Sequence, residues 1–330
     1  MLLFYKNNRY LCRKLECAMK VLTSFKDYPE SGSAVTIGFF DGVHTGHAAL
    51  IERLKQAAAR LGVPSVVVTF SNHPREGLKA NYIPKLLTTC DERLRLLEQT
   101  GVDYCVMVPF DKELAEYSSR IFMRKYLSEA LHARFLLVGH DHHFGCDREK
   151  GFPHYQAIGV EYGIEVEQMP AYVNEGLCVS SSLIRKSLEA GGVVAARRML
   201  GYEYFIEGTI VSGHKVGRTM GFPTANIAIN DVHKFIPGEG VYAVELQIEG
   251  DDQRRRGMLY IGGRPTFVTL EEVRSIELNV FDFDGDIYHK QVQVFFQEYI
   301  RAEIKFDTPE KLAKQLGQDR DTVKEYFSKR

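Results

Sequence analysis

Between about residue 34 and residue 168 the sequence alternates two textures, and after about residue 201 it keeps only one. The runs AVTIG, SVVVTF (65–70), DYCVMV (103–108), RFLLVG (134–139) and IEVEQM (164–169) are short, apolar and rich in β-branched residues, as buried strands are. Between them lie segments of helical spacing. GHAALIERLKQAAARLG puts Leu50, Ile51, Leu54, Ala57, Ala58 and Leu61 on one face and stops at Gly62. TTCDERLRLLEQTG and YSSRIFMRKYLSEALHA repeat the pattern. Such alternation predicts an α/β domain on a doubly wound parallel sheet. Ligands in such sheets bind beyond the carboxyl ends of the strands. Two histidine-rich loops, GFFDGVHTGH (38–47) and GHDHHFG (139–145), follow strands and belong at that edge.

The second half is different. YFIEGTIVSG, TANIAI, VYAVELQIEG, RRRGMLYIG, RSIELNVFDF and YHKQVQVFFQEYI are strand-like and joined by Gly or Asp-Gly turns, with DGD (284–286) read as a hairpin tip. Helical spacing returns in DTPEKLAKQLGQDRDTVKEYF, with Thr308 as N-cap and Pro309 at the first helical position. A small antiparallel β-barrel with a terminal helix is expected, the boundary falling near Gly201.

A chain of 330 residues suits two domains. Its formal charge of −1 gives no bulk field for nucleic acid or a membrane surface, so neither is expected as a partner. An anionic ligand must be held by local geometry. The six cysteines form no C-x-x-C pair and read as reduced thiols of a cytoplasmic protein. No apolar run approaches the roughly 18 residues a membrane-spanning helix needs. The opening MLLFYKNNRYLCRKLECA is too interrupted by charge for a signal-peptide core. Met19, opening MKVL, is an alternative start, and residues 1–18 are read as an extension.

The turn GFFDGVHTGH joins a strand to a helix. Backbone N–H groups and the positive end of the helix dipole meet there, which suits an anion. Gly46 leaves room for a phosphate, and His44 and His47 supply donors beside it. Nucleotidyl transfer fits this equipment, because an attacking phosphate is already anionic and needs alignment and charge stabilisation rather than a strong base. A partial zinc site is the other reading of the pair, although companion ligands at a recognisable spacing are missing. VSSSLIRKSL offers a second phosphate-like device: serine hydroxyls at a helix start with Arg185 on the first turn. Serine runs also cap helices that bind nothing. In GHDHHFG, Asp141 is read as an acceptor in a nucleotide-binding loop and Gly145 as a turn. His140, His142, His143 and Cys146 have the composition of a metal site but not the geometry.

GFFDGVHTGH, TFSNHP, LTTCDERL, VGHDHHFG and SSSLIRK, in this order, resemble the adenylyltransferase half of the bacterial bifunctional riboflavin kinase/FAD synthetase family. GTIVSGHKVGRTMGFPTANI followed by SIELNVFDFDGDIY resembles its riboflavin kinase half. The resemblance implies residues 19–201 as a Rossmann-like FMN adenylyltransferase domain and 202–330 as a riboflavin kinase barrel, both using ATP and Mg²⁺. Riboflavin would be converted to FMN in the barrel, and FMN to FAD with release of pyrophosphate in the sheet domain. By motif position, His44 and His47 would contact the ATP phosphates, with Gly38, Phe39, Asp41, Gly46 and Asp141 around the nucleotide and flavin. Ser181, Ser182 and Arg185 would hold the triphosphate. In the kinase half, Gly213, Lys215, Gly217 and Arg218 would cover the phosphates. Thr224 and Asn226 would organise Mg²⁺, and Glu277 would be the base. From the residues alone, Glu277 reads equally well as an outward-facing strand carboxylate. A riboflavin kinase with a degenerate sheet domain, and a flavin carrier without activity, are the alternative readings.

The chain departs from the family pattern at Phe39, Asn72, His143 and Ser182 in the first half and at Tyr260 in the second. GTIVSGHK and GEGVYA mimic nucleotide-binding motifs but lead into strands instead of helices, so neither is read as one.

Overall fold

A computed structural model describes residues 18–29, 31–73, 76, 83–140, 142–147, 151–174, 176–212, 223–263 and 274–330. Packing divides the chain into two compact units. One reaches Pro84 and resumes over Cys90–Cys178; the other takes Lys85–Thr89 together with Val179–Arg330.

The first unit is built on a sheet of β1 (Lys20–Leu22), β2 (Ser33–Ile37), β3 (Ser65–Phe70), β4 (Tyr104–Val108), β5 (Ala133–Val138) and β6 (Glu165–Gln168). Every pairing is parallel and the spatial order is β1-β4-β3-β2-β5-β6. All residues of β2 and β3 are buried, as strands covered on both faces must be. The chain runs outward from β2 through β3 to β4 and then returns to β5 on the other side of β2. The order therefore reverses between β2 and β5, and the two histidine-rich loops leave from these two strands.

Helix α1 (Thr45–Leu61) buries Leu50, Ile51, Leu54, Ala57 and Ala58, and Gly62 ends it in the left-handed conformation at φ 64°. Helix α2 (Cys90–Gln99) follows β3. The stretch expected as one helix over YSSRIFMRKYLSEALHA is broken. After α3 (Lys112–Glu116), α4 (Ser119–Phe122) is capped by Ser118 and passes into a π-helical turn over Met123–Ser128. The wider turn lets Phe122, Met123 and Leu127 all enter the core beside Val35, Val68 and Leu136. Helix α5 (Gly151–Tyr162) precedes β6, and a small hairpin of β7 (Val173–Asn174) and β8 (Leu177–Cys178) completes the unit.

In the second unit, β9 (Phe205–Val211), β10 (Ala225–Ala228), β11 (Gly240–Ile248), β12 (Arg255–Gly263), β13 (Arg274–Val280) and β14 (Gln291–Arg301) close into an antiparallel barrel of order β10-β13-β12-β11-β14-β9. Closure leaves no sheet edge. Tyr242, Val244, Leu246 and Ile248 alternate along β11 and are buried. The opposite face, Val241, Ala243 and Met258, is covered by Val323 and Phe327 of the terminal helix α8 (Pro309–Ser328). Thr308 caps α8 and Pro309 opens it, as the sequence predicts.

One expectation changes. DGD is not a hairpin tip: β13 pairs with β10 and β12, β14 with β11 and β9, and Asp284–Asp286 lie in the connection between two strands that never pair. By packing, α6 (Ser181–Glu189) and α7 (Val193–Leu200) belong to the barrel's unit, which resumes at Val179. Arg274 Nη2 donates to Glu189 Oε1 at 2.6 Å, and Gly238 N–H donates to the Leu188 carbonyl at 3.0 Å. A Cβ on Gly238 would lie 2.0 Å from the Glu189 carbonyl oxygen, so only glycine allows this approach.

Candidate active sites

The turn after β2 is tightly wound. Phe40 (φ 55°) and Val43 (φ 35°) lie in the left-handed region with Gly42 between them, conformations that bulky residues adopt only where the surroundings impose them. Asp41 and His44 are buried. His44 is the N-cap of α1, and its Nδ1 accepts the backbone N–H of His47 at 3.3 Å. As an acceptor Nδ1 has no proton, so in the neutral ring the proton lies on Nε2.

The rings of His44 and His47 stack with centroids 3.6 Å apart, and Phe40 meets His47 edge-on at 5.1 Å. The half-buried His47 has Nδ1 sealed from solvent and without a hydrogen-bond partner among the described residues. Burial, followed by the neighbouring imidazoles of His44 and His142, pushes its pKa well below the ordinary 6.5, so the ring is neutral near pH 7. A Cβ at Gly46 would come within 3.2 Å of the His44 ring, which adds a steric reason for glycine to the phosphate room expected from sequence.

The loop after β5 brings His142 to this group. It is fixed by Tyr155, whose hydroxyl accepts the Phe144 N–H and donates to the Phe144 carbonyl, each at 3.0 Å. Asp147 accepts the Ser119 N–H at 2.6 Å. Asp141 itself lies outside the described residues. Among the described residues no group of three or more His, Cys, Asp and Glu side chains is placed to hold a metal.

The strand ends are also held from beneath. Arg93 of α2 is fully buried and donates to the carbonyls of Phe39 at 3.1 Å and Phe70 at 2.5 Å. Its guanidinium lies 4.3 Å from the centroid of the Phe39 ring. Sequence reasoning missed this residue. The available signal was its position three and four residues before the buried Leu96 and Leu97, on the apolar stripe of α2. Asn72 bridges the ends of β3 and β4, donating to the Phe110 carbonyl at 3.0 Å and accepting its N–H at 2.7 Å. It thus has a structural reason for its departure from the family pattern.

Ser181, Ser182 and Arg185 lie on α6, within the barrel's packing unit. Ser180 is the N-cap, accepting the Leu183 N–H at 3.3 Å, and Arg185 Nη2 donates to Ser182 Oγ at 3.3 Å.

In the barrel, Asn226 stands on the half-buried face of β10, between buried Ala225 and Ile227, and the half-buried Thr224 immediately precedes the strand. Asn226 is in direct register with Glu277 of β13, and Glu277 with Tyr260 of β12. Side chains paired this way leave the sheet on one side. Thr224 Oγ1 donates to Glu277 Oε2 at 3.5 Å. Asn279, on the same face as Glu277, donates to the Pro223 carbonyl at 2.7 Å. The Tyr260 hydroxyl donates to Glu303 at 2.5 Å; burial, then Glu303 and the further carboxylates of Glu277 and Glu239, raise its pKa. Gly213, Lys215, Gly217 and Arg218 lie outside the described residues.

The comparisons also divide the chain in two. Residues 26–183 match the FAD synthetase family and residues 200–327 the riboflavin kinase family. A bifunctional riboflavin kinase/FMN adenylyltransferase of Escherichia coli K12 is 35% identical over 299 residues, spanning 91% of this chain and 94% of that one. The enzyme of the same description from Pseudomonas fluorescens is 37% identical over 294 residues, covering 87% and 91%. A crystal structure described as a macrolide-efflux protein from Streptococcus pneumoniae superposes with a TM-score of 0.82 at 30% identity, over 93% of this chain and 99% of that one. Among the described residues of the present chain, no helix is long and apolar enough to cross a membrane. With both domains matched and relatives of like length and order, the chain belongs to the bifunctional riboflavin kinase/FMN adenylyltransferase family.

Proposed function

We propose that this chain makes FAD in two ATP-dependent steps, each with its own set of residues. The observation that carries the reading is that chemically different groups assemble in different parts of the fold. A carboxylate sits beside a hydroxyl and an amide on the barrel wall, and two stacked imidazoles sit at the switch point of the sheet.

Riboflavin's acceptor is a primary alcohol. Glu277 takes its proton as the oxygen attacks the γ-phosphorus of ATP, giving FMN and ADP. Thr224 and Asn226 offer hard oxygen donors on the same face, a set that fits Mg²⁺, and the ion when bound would offset the charge of the ATP phosphates. The GHKVGR segment, Gly213–Arg218, is proposed to cover those phosphates.

The FMN acceptor is a phosphate, so its attack on the α-phosphorus of ATP needs no base, and pyrophosphate leaves. His44 Nε2–H and the His47 ring donate to phosphate oxygens at the α1 N-terminus, where partial positive charge is already present. Gly38, Phe39, Asp41, Gly46 and Asp141 surround the reacting groups in this reading. Ser181, Ser182 and Arg185 serve as a triphosphate clamp. Such an intact histidine pair disfavours the reading of a degenerate sheet domain. Because both steps consume ATP, a cytoplasmic location is proposed with them.

Incubation of the purified chain with riboflavin, ATP and Mg²⁺, with flavins separated over time, tests the reading. FMN is expected to rise and then give way to FAD. FMN accumulating without FAD, even when supplied directly, would reject the second step.

A further inference from the structure

Arg93 is 1% exposed, yet none of its partners carries charge. Nη1 donates to the Phe39 carbonyl at 3.1 Å; Nη2 donates to the Phe70 carbonyl at 2.5 Å and lies 3.6 Å from Cys90 Sγ. The Phe39 ring takes one face of the guanidinium at 4.3 Å, and Nε is buried without a partner among the described residues. No carboxylate among the described residues pairs with it. A buried guanidinium normally requires a neutralising anion, because burial removes its hydration. Here the fork joins the carboxyl ends of two adjacent strands, β2 and β3, at the edge where the histidine turn begins. The Phe39 carbonyl also accepts from Thr69 Oγ1 at 3.2 Å, so this one oxygen is held from two sides.

We propose that Arg93 is a positioning residue for adenylyl transfer: its fork fixes the carbonyl and ring of Phe39, and with them the Gly38–His47 turn, while its unneutralised charge favours a phosphate-bearing acceptor in the site. The inference rests on the reading of the sheet unit as the site of FAD formation. It separates two contributions that different substitutions remove. Lysine keeps the charge and loses the planar fork; methionine loses both.

The test compares the wild-type chain with Arg93→Lys and Arg93→Met, measuring kcat and KM for FMN in FAD formation and, on the same preparations, the rate of riboflavin phosphorylation. For Arg93→Lys we expect kcat to fall about tenfold while KM for FMN stays within about threefold, the pattern of lost alignment. For Arg93→Met we expect a similar fall in kcat together with KM for FMN raised about tenfold or more. Riboflavin phosphorylation should be unchanged in both. Wild-type kcat and KM in both variants would overturn the proposal. So would a lysine variant whose KM is as poor as that of the methionine variant, or loss of both reactions together, which would make the role purely structural. His47→Ala run alongside separates the two levels. If it leaves FAD formation untouched, the reading of the sheet site fails. If it stops FAD formation while the Arg93 variants behave as wild type, only the inference about Arg93 fails.

Discussion

Asn226 and Glu277 stand directly opposite each other across β10 and β13, so an amide and a carboxylate leave the barrel wall on the same side. Thr224, just before β10, puts its hydroxyl 3.5 Å from the Glu277 carboxylate. In the proposed reading the carboxylate is the proton acceptor for an alcohol, with two neutral oxygen-bearing groups beside it.

Replacing the acceptor should therefore stop one reaction only. Glu277→Gln keeps the shape and removes the proposed base, and riboflavin phosphorylation is expected to fall by about 10²–10⁴. Conversion of supplied FMN to FAD should continue at the wild-type rate. Chromatography of the two reactions in parallel checks this, and loss of both would contradict separate sites.

His47→Ala gives the mirror result. Removal of one donor to a developing phosphate charge costs about 10²–10³ in rate, so FAD formation should fall by that factor while FMN formation from riboflavin is unaffected. The same parallel assay reads both.

The low pKa of His47 has a defined consequence for stability. In the unfolded chain the ring takes up a proton near pH 6.5, whereas in the folded chain burial and the two nearby imidazoles keep it neutral to lower pH. Its contribution is thus fully retained above about pH 6.5 and lost as pH falls from there towards the folded pKa. Denaturant midpoints for the sheet unit at pH 7.5 and 5.5 should differ less in His47→Gln than in the wild type.

On the barrel, Arg301 grips Asp319 of α8 with both arms of its fork, Nε to Oδ1 at 2.8 Å and Nη2 to Oδ2 at 2.7 Å. Asp319 is 2% exposed and also accepts from Gln315 at 2.9 Å. Asp319→Ala leaves a mostly buried guanidinium unpaired and should destabilise the barrel by about 3–5 kcal/mol. Urea unfolding would measure it, and a change below about 1 kcal/mol would place the pair among ordinary surface bridges.

What the sequence disclosed follows from the range of the physics involved. Helix α1, its Gly62 terminus and the Thr308–Pro309 start of α8 depend on neighbours within a few positions, and all were legible. The carboxyl-edge position of both histidine-rich loops was legible too, because each needed only the strand before it; the reversal of strand order between β2 and β5 was not. DGD was misread because an Asp-Gly turn fixes a hairpin only if its flanking strands pair, and β13 and β14 do not. The π turn at Met123–Ser128 answers to the core it enters, not to local spacing. Arg93 was hidden because a charged side chain on an apolar stripe usually extends its head to water. Its true partners, Phe39 and Phe70, lie 54 and 23 positions away.

Lys85–Thr89 belongs to the barrel's packing unit, although the chain returns to the sheet unit from Cys90 to Cys178 before entering the barrel for good. Leu86 N–H donates to the His233 carbonyl at 2.6 Å, and the Phe235 N–H to the Leu86 carbonyl at 2.7 Å. The buried Lys234 ammonium donates to the Leu87 carbonyl at 2.9 Å. The two units are therefore not successive beads on a string, and no single cut in the chain yields both intact. A gene trimmed to encode the barrel alone would discard the carbonyl that Lys234 relies on. Splitting these two activities between separate polypeptides would require new residues at the barrel wall, which helps to explain how one continuous chain can be kept whole by packing as well as by shared chemistry.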